Sequence, residues 1–204
     1  MAPALGSLVK ESRLSGLVDE EDLRDIAASI RGEGAAYARL VRRYQGTVRA
    51  QMWRYSRDAQ AVDELVQDVF VAAFTSLRSF RGDGPLLHWL RAVATRTGYQ
   101  FWKRQRRERT RQAAARAALG PLDASPAPGL LPGEAADLLF KLLAQLNAKD
   151  RLVLTLYYFE GCDTNEIAAR MGWNATLVRV RMHRACRRLR GMMVDAGIGR
   201  CSDV

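Results

Sequence analysis

Cysteine is scarce in this chain. Cys162, Cys186 and Cys201 are the only three among 204 residues, too few and too scattered for a disulfide framework or a zinc site. Histidine is scarcer still, with two residues. No clustered carboxylate pair and no phosphate-cradling loop accompany them. The chain therefore does not read as an enzyme, and no metal or cofactor is expected. No apolar run approaches the ~18 residues a membrane span needs. The opening Met1-Ala2-Pro3-Ala4-Leu5-Gly6 lacks the basic start of a secretory leader. These absences lead to the expectation of a cytoplasmic protein that does not insert into membrane. Acidic residues are also in the minority, 22 against 32 Lys plus Arg, for a net charge of +10. With 48% apolar residues this is a folded basic protein rather than a basic tail, and a polyanion such as nucleic acid is its expected partner.

The pattern that is present is helical. Residues 1–21 are weakly periodic and end in the acidic cluster Asp19-Glu20-Glu21-Asp22. From 22 to 112, apolar residues recur at helical spacing: Leu40, Val41, Tyr44 and Val48, then Leu65, Val66, Val69, Phe70, Ala73, Phe74 and Leu77. Arg81-Gly82-Asp83-Gly84-Pro85 interrupts the pattern, which resumes at Leu86, Trp89, Leu90 and Val93 and runs into a dense basic segment. Residues 113–133 read as a flexible linker, since their piece from Gly120 to Gly129 alone holds three of the six prolines. A second helical unit spans 134–194, with Asn147 and Asp150 marking a helix start and Gly161 a stop. The rest, 195–204, is a short tail. No strand-like alternation and no internal repeat appears. The expected fold is all-α: two small helical domains on a flexible tether.

The sharpest local signal is Asp163-Thr164-Asn165-Glu166-Ile167-Ala168-Ala169-Arg170-Met171-Gly172-Trp173-Asn174. Asp163 followed by Glu166 is an aspartate form of the capping box, at the positive end of a helix dipole. Ile167 and Met171 give a buried edge, Ala168 allows a close helix crossing, and Gly172 supplies the turn. Asn174 then caps a long helix with apolar positions Val178, Met182, Ala185 and Leu189. No acid occurs from Thr176 to Arg190, and Arg179, Arg181, Arg184, Arg187, Arg188 and Arg190 cover the rest of that helix. A recognition helix needs this division, one face for the core and the other for phosphates and base edges.

Further upstream, Asp63-Glu64-Leu65-Val66-Gln67-Asp68-Val69-Phe70-Val71-Ala72-Ala73-Phe74 places Leu65, Val69, Ala73 and Leu77 on one face. Glu64, Gln67, Asp68 and Val71 then point elsewhere, a polar and acidic patch that suits a protein partner better than DNA. Next come Phe80-Arg81-Gly82-Asp83-Gly84-Pro85-Leu86-Leu87-His88-Trp89 and, beyond Arg96, the basic run Lys103, Arg104, Arg106, Arg107, Arg109 and Arg111. Such a run can track a nucleic-acid strand.

In this order the three blocks resemble the extracytoplasmic-function (ECF) sigma factors, the smallest class of the sigma-70 family of bacterial transcription initiation factors. The resemblance covers about residues 25–192. It implies that Glu64, Gln67, Asp68 and Val71 dock on core RNA polymerase. It implies that Arg81, Gly82, Asp83, Arg96, Lys103, Arg104, Arg106 and Arg107 read and melt the minus-ten promoter element, with a flipped base held in the loop. For the minus-thirty-five element it implies Asn174, Thr176, Leu177, Arg179, Val180, Arg181, Arg184 and Arg188. Partners implied are core polymerase, promoter DNA bound as a monomer, and an anti-sigma factor in those members that have one. The chain departs from the family where Arg96 replaces a common Asn and Gln100 a common Asp. It departs again in Thr176-Leu177-Val178-Arg179-Val180-Arg181, where Gly-Thr-Val-Lys-Ser-Arg is frequent. The promoter sequence is therefore not carried over. The rival reading is a stand-alone helix-turn-helix regulator, which would be a dimer on paired half-sites.

Overall fold

The computed structural model describes residues 19–117 and 132–197. Residues 1–18, most of the expected linker and residues 198–204, with Cys201, lie outside the described residues. The described residues contain eight α-helices and no strand, so the all-α expectation holds. The chain divides into two compact units, Met1–Phe101 and Trp102–Val204.

In the first unit the helices are α1 (Glu20–Ile30), α2 (Gly34–Met52), α3 (Ala59–Ser76) and the beginning of α4 (Leu86–Ala117). The acidic cluster left outside the helical region by periodicity is in fact the start of α1. Asp19 is its N-cap, accepting from the Glu21 amide at 2.9 Å, and Glu20, Glu21 and Asp22 fill the first turn. Carboxylates there offset the partial positive charge of the helix end. Asp22 and Asp25 are buried, which is tolerable because α2 supplies their counter-charges. Arg39 donates to Asp25 through both Nε and Nη2, at 2.9 and 2.6 Å, and Arg43 pairs with Asp22. Ile26, Leu40, Leu77 and Leu86 close the apolar side of this bundle, with Tyr37, Tyr44, Phe80 and Trp89 packed against them.

The Arg39 guanidinium beside Asp25 holds its carboxyl below the usual value of 3.8 despite opposing desolvation. A depressed carboxylate pKa stabilises the fold above the unfolded value, and this stability is lost as pH falls through the folded one. Asp25→Asn is expected to lower the melting temperature at neutral pH and to flatten its decline below about pH 4. Melting curves of both proteins across that range test this, and parallel declines would refute it.

Packing is set by near neighbours in sequence: α1 lies on α2 and α2 on α3. Val48, Met52, Val62, Leu65 and Val69 are almost fully buried between them, each stabilising the fold by roughly 1.5–3 kcal/mol relative to exposure. Gln51 reaches α4, donating to Thr95 Oγ1 at 3.1 Å and to the Arg91 carbonyl at 3.3 Å. Three residues on, Gly98 faces the ring of the buried Tyr55.

The second unit holds the remainder of α4, then α5 (Pro132–Gln145), α6 (Ala148–Leu154), α7 (Thr164–Met171) and α8 (Ala175–Asp195). Asn147 caps α6 as expected, accepting from the Asp150 amide at 3.0 Å. The end of α6 widens into a π-helical turn over Thr155–Phe159, and Gly161, at φ +65°, stops it. Arg151 is 4% exposed, its guanidinium 4.0 Å from the Trp102 ring centre and 4.6 Å from that of Phe140. Helices α6 and α7 both pack on α8, where Val178 and Ala185 are fully buried. Burial raises the Cys162 thiol to about 11, so it remains a neutral core side chain.

Candidate functional site

The exposed positions of α3 form one stripe. Asp58 caps the helix, accepting from the Gln60 amide at 2.9 Å. Val62, Leu65, Val69, Phe70 and Ala73 turn inward. This leaves Glu64, Gln67, Asp68 and Val71 exposed at helical spacing, the placement expected from the sequence. Val71 is 66% exposed, an aliphatic side chain within the polar stripe. One member of the stripe escaped the sequence reading. Phe74, one of the apolar residues recurring at helical spacing, is 53% exposed and rests edge-on against Tyr37, ring centres 4.8 Å apart. Burial raises the Tyr37 phenol to about 12, and the neutral hydroxyl on α2 donates to the Phe70 carbonyl on α3. The signal that could have found Phe74 is its spacing of three from Val71.

The turn between α3 and α4 is built around Gly82, at φ +77°, a conformation costly for any residue with a Cβ. Arg81 and Asp83 flank it and are exposed, as is Arg96 on α4. Trp89 is half-buried and meets Phe80 edge-to-face at 5.9 Å. It packs with the core cluster beneath the turn, so it braces the loop. In the second unit Arg104, Arg106 and Arg107 are exposed and Lys103 is half-buried.

The helix-turn-helix is assembled as its spacing predicts. The Asp163 carboxylate accepts from the amides of Asn165 and Glu166 at 2.7 and 2.8 Å, and Glu166 accepts from the Asp163 amide at 2.8 Å. Gly172 ends α7 at φ +65°, and the Trp173 amide donates to the Ala168 carbonyl at 2.9 Å. Asn174 caps α8, accepting from Thr176 N at 2.8 Å. Asn174, Thr176, Leu177, Arg179, Val180, Arg184 and Arg188 are all exposed. Arg181 is not. Its Nη1 donates to Asp150 Oδ1 at 2.9 Å, and its guanidinium carbon lies 5.9 Å from the Trp173 ring centre.

Among the described residues no cluster of three or more His, Cys, Asp or Glu could hold a metal ion, and no helix is long and apolar enough to cross a membrane.

Residues 40–108 match the family model for sigma-70 region 2, and residues 136–189 the model for sigma-70 region 4. The RNA polymerase sigma-H factor of Pseudomonas aeruginosa is 30% identical over 178 residues, spanning 83% of this chain and 92% of that protein. The chain belongs to the sigma-70 family. Within it, relatives that include curated ECF sigma factors place this sigma factor in the ECF class. A probable sigma factor of Xanthomonas campestris, RfaY, is 32% identical over 74% of this chain, which spans only 38% of RfaY. Among solved structures, CnrH in complex with the cytosolic domain of CnrY aligns with a TM-score of 0.53 and 27% identity, over 86% of this sigma factor and 99% of that chain. The region 2 match includes the α3 stripe, the Gly82 turn and the basic run as far as Arg107, and the region 4 match covers the helix-turn-helix.

Proposed function

We propose that this sigma factor gives core RNA polymerase its promoter specificity through three separate surfaces. The core-docking surface is the α3 stripe of Glu64, Gln67, Asp68, Val71 and Phe74. Minus-ten contacts fall to Arg81, Gly82, Asp83 and Arg96 in the first unit and, in the second, to Lys103, Arg104, Arg106 and Arg107. The upstream element is read by Asn174, Thr176, Leu177, Arg179, Val180, Arg184 and Arg188, while Arg181 positions α8 from behind. In domain terms, residues 22–112 form the region 2 unit, 113–133 the tether and 134–194 the region 4 unit. Two modest sites on one tether gain effective concentration when both engage one scaffold, so neither has to bind tightly alone. The protein contributes binding and positioning, not covalent chemistry, and works in the cytoplasm beside its polymerase. A further protein partner, such as an anti-sigma factor, would parallel CnrH, which was solved in complex with the cytosolic domain of another protein, CnrY.

The observation that carries this reading is the contrast between the two exposed helix faces. On α3 an acidic and apolar stripe stands out from a chain of net charge +10, while α8 is basic from Thr176 to Arg190. Opposite surface chemistry at the two sites fits one protein partner and one nucleic-acid partner. The purified chain is expected to co-elute stoichiometrically with bacterial core RNA polymerase. Asp68→Arg should weaken that complex by about 10- to 100-fold, the equivalent of ~1.4–2.8 kcal/mol, without loss of helicity. A wild-type chain that ignores core polymerase yet shifts duplex DNA would instead favour the stand-alone regulator.

A further inference from the structure

The outward face of α8 is not uniformly basic at its entry end. At 100° per residue, the inward direction is fixed by Val178 and Ala185, both fully buried, and by the half-buried Met182 and Leu189. Thr176, Val180 and Arg187 then lie at the centre of the opposite face. Leu177 and Arg184 occupy one flank, Arg179 and His183 the other. Two of these side chains are aliphatic: Leu177 is 42% exposed and Val180 40% exposed. A single exposed aliphatic residue is ordinary. Two of them one turn apart, among arginines and within the first two turns of α8, occupy the part of a recognition helix that meets base edges.

The chemistry of the two side chains narrows what they can recognise. Neither can donate or accept a hydrogen bond, so neither can pair with a phosphate, a carbonyl or an exocyclic amine. Among major-groove edges only thymine presents an apolar group, its C5 methyl. The exposed Arg179 and Arg184 suit phosphates and guanine edges, which leaves apolar contact to the two aliphatic side chains. An aliphatic side chain held over the amine of cytosine or the oxygen of guanine would strip water from that group without replacing the lost bond. Those bases are thereby penalised while thymine is rewarded.

We infer that Leu177 and Val180 read thymine C5 methyl groups in the upstream promoter element. This rests on α8 being the reader of that element. The test begins by selecting upstream elements from a randomised duplex library with the reconstituted holoenzyme. Each thymine of the selected site is then replaced in turn by deoxyuracil, which keeps every hydrogen-bonding group and removes only the methyl. Substitution at one or two thymines should weaken binding about three- to ten-fold. Val180→Ser should abolish the methyl dependence at one of these positions and Leu177→Ala at the other, with melting temperatures unchanged because both residues are exposed. A well-defined element that contains no thymine, or that tolerates uracil throughout, would overturn the inference and leave the helix as reader. Failure to select any upstream element would overturn the reader assignment itself, and the inference with it.

Discussion

Gly98→Ala is expected to lower the melting temperature of the first unit by about 10 °C, following a loss of roughly 2 kcal/mol. A Cβ at this position would lie 2.3 Å from Tyr55 Cδ1, 2.4 Å from Cε1 and 2.6 Å from Cγ. Those are ring atoms of a side chain only 1% exposed, so the ring cannot swing aside. Glycine inside a helix normally costs about 1 kcal/mol relative to alanine. Its place in the interior of α4 therefore marks a site where the space for a methyl is missing. The intrinsic gain from alanine offsets only part of the overpacking penalty. Thermal unfolding followed by circular dichroism measures the net effect. A double variant, Gly98→Ala with Tyr55→Leu, should be less destabilised than the sum of its single changes, because removing the ring removes the collision. A Gly98→Ala protein melting at or above the wild type would contradict this packing.

Arg181→Ala and Arg184→Ala are expected to fail in different ways, although both remove an arginine from one helix. Arg181 is turned into the second unit, where its side chain is 25% exposed and that of Asp150 13%. Removing it leaves a mostly buried carboxylate with Asn147 as its remaining partner. Breaking such a pair by deleting one member costs about 3 kcal/mol. Urea unfolding should register that loss, and binding to all promoters should fall together as the folded population shrinks. Arg184 is exposed, so its removal should change stability by less than ~0.5 kcal/mol. Its cost appears in recognition, at ~1–3 kcal/mol for the base it contacts, with relaxed preference at that position. Comparing holoenzyme affinity for matched and mismatched upstream elements separates the two. Wild-type stability combined with lost base preference in Arg181→Ala would make it a reader after all.

These two arginines also show what the sequence could and could not disclose. Signals carried within a few residues were legible. The Asp163–Glu166 capping box, the Gly172 turn and the Asn147 and Asn174 caps all formed at the predicted spacing. They depend on backbone groups no more than five positions away. Arg181 was grouped with its basic neighbours because its partner Asp150 is 31 residues distant, beyond the reach of any local pattern. The buried Asp22 and Asp25 were missed for a similar reason. A carboxylate reads as surface until the arginines that neutralise it, Arg39 and Arg43, are brought alongside by the α1–α2 pairing. Phe74 was misplaced for a different reason. Apolar periodicity identifies which residues could be buried, and it cannot tell a core edge from an apolar residue left exposed.

The order in which α1, α2 and α3 pack, each on its predecessor, bears on how the protein is made. Helical units dominated by such local contacts fold within microseconds to milliseconds. Synthesis of the residues after Phe101, where the first unit ends, takes roughly 5–20 s at ordinary elongation rates. The α3 stripe and the Gly82 turn are therefore folded and displayed while α8 is still being translated, so the surfaces of the first unit are available for binding before those of the second.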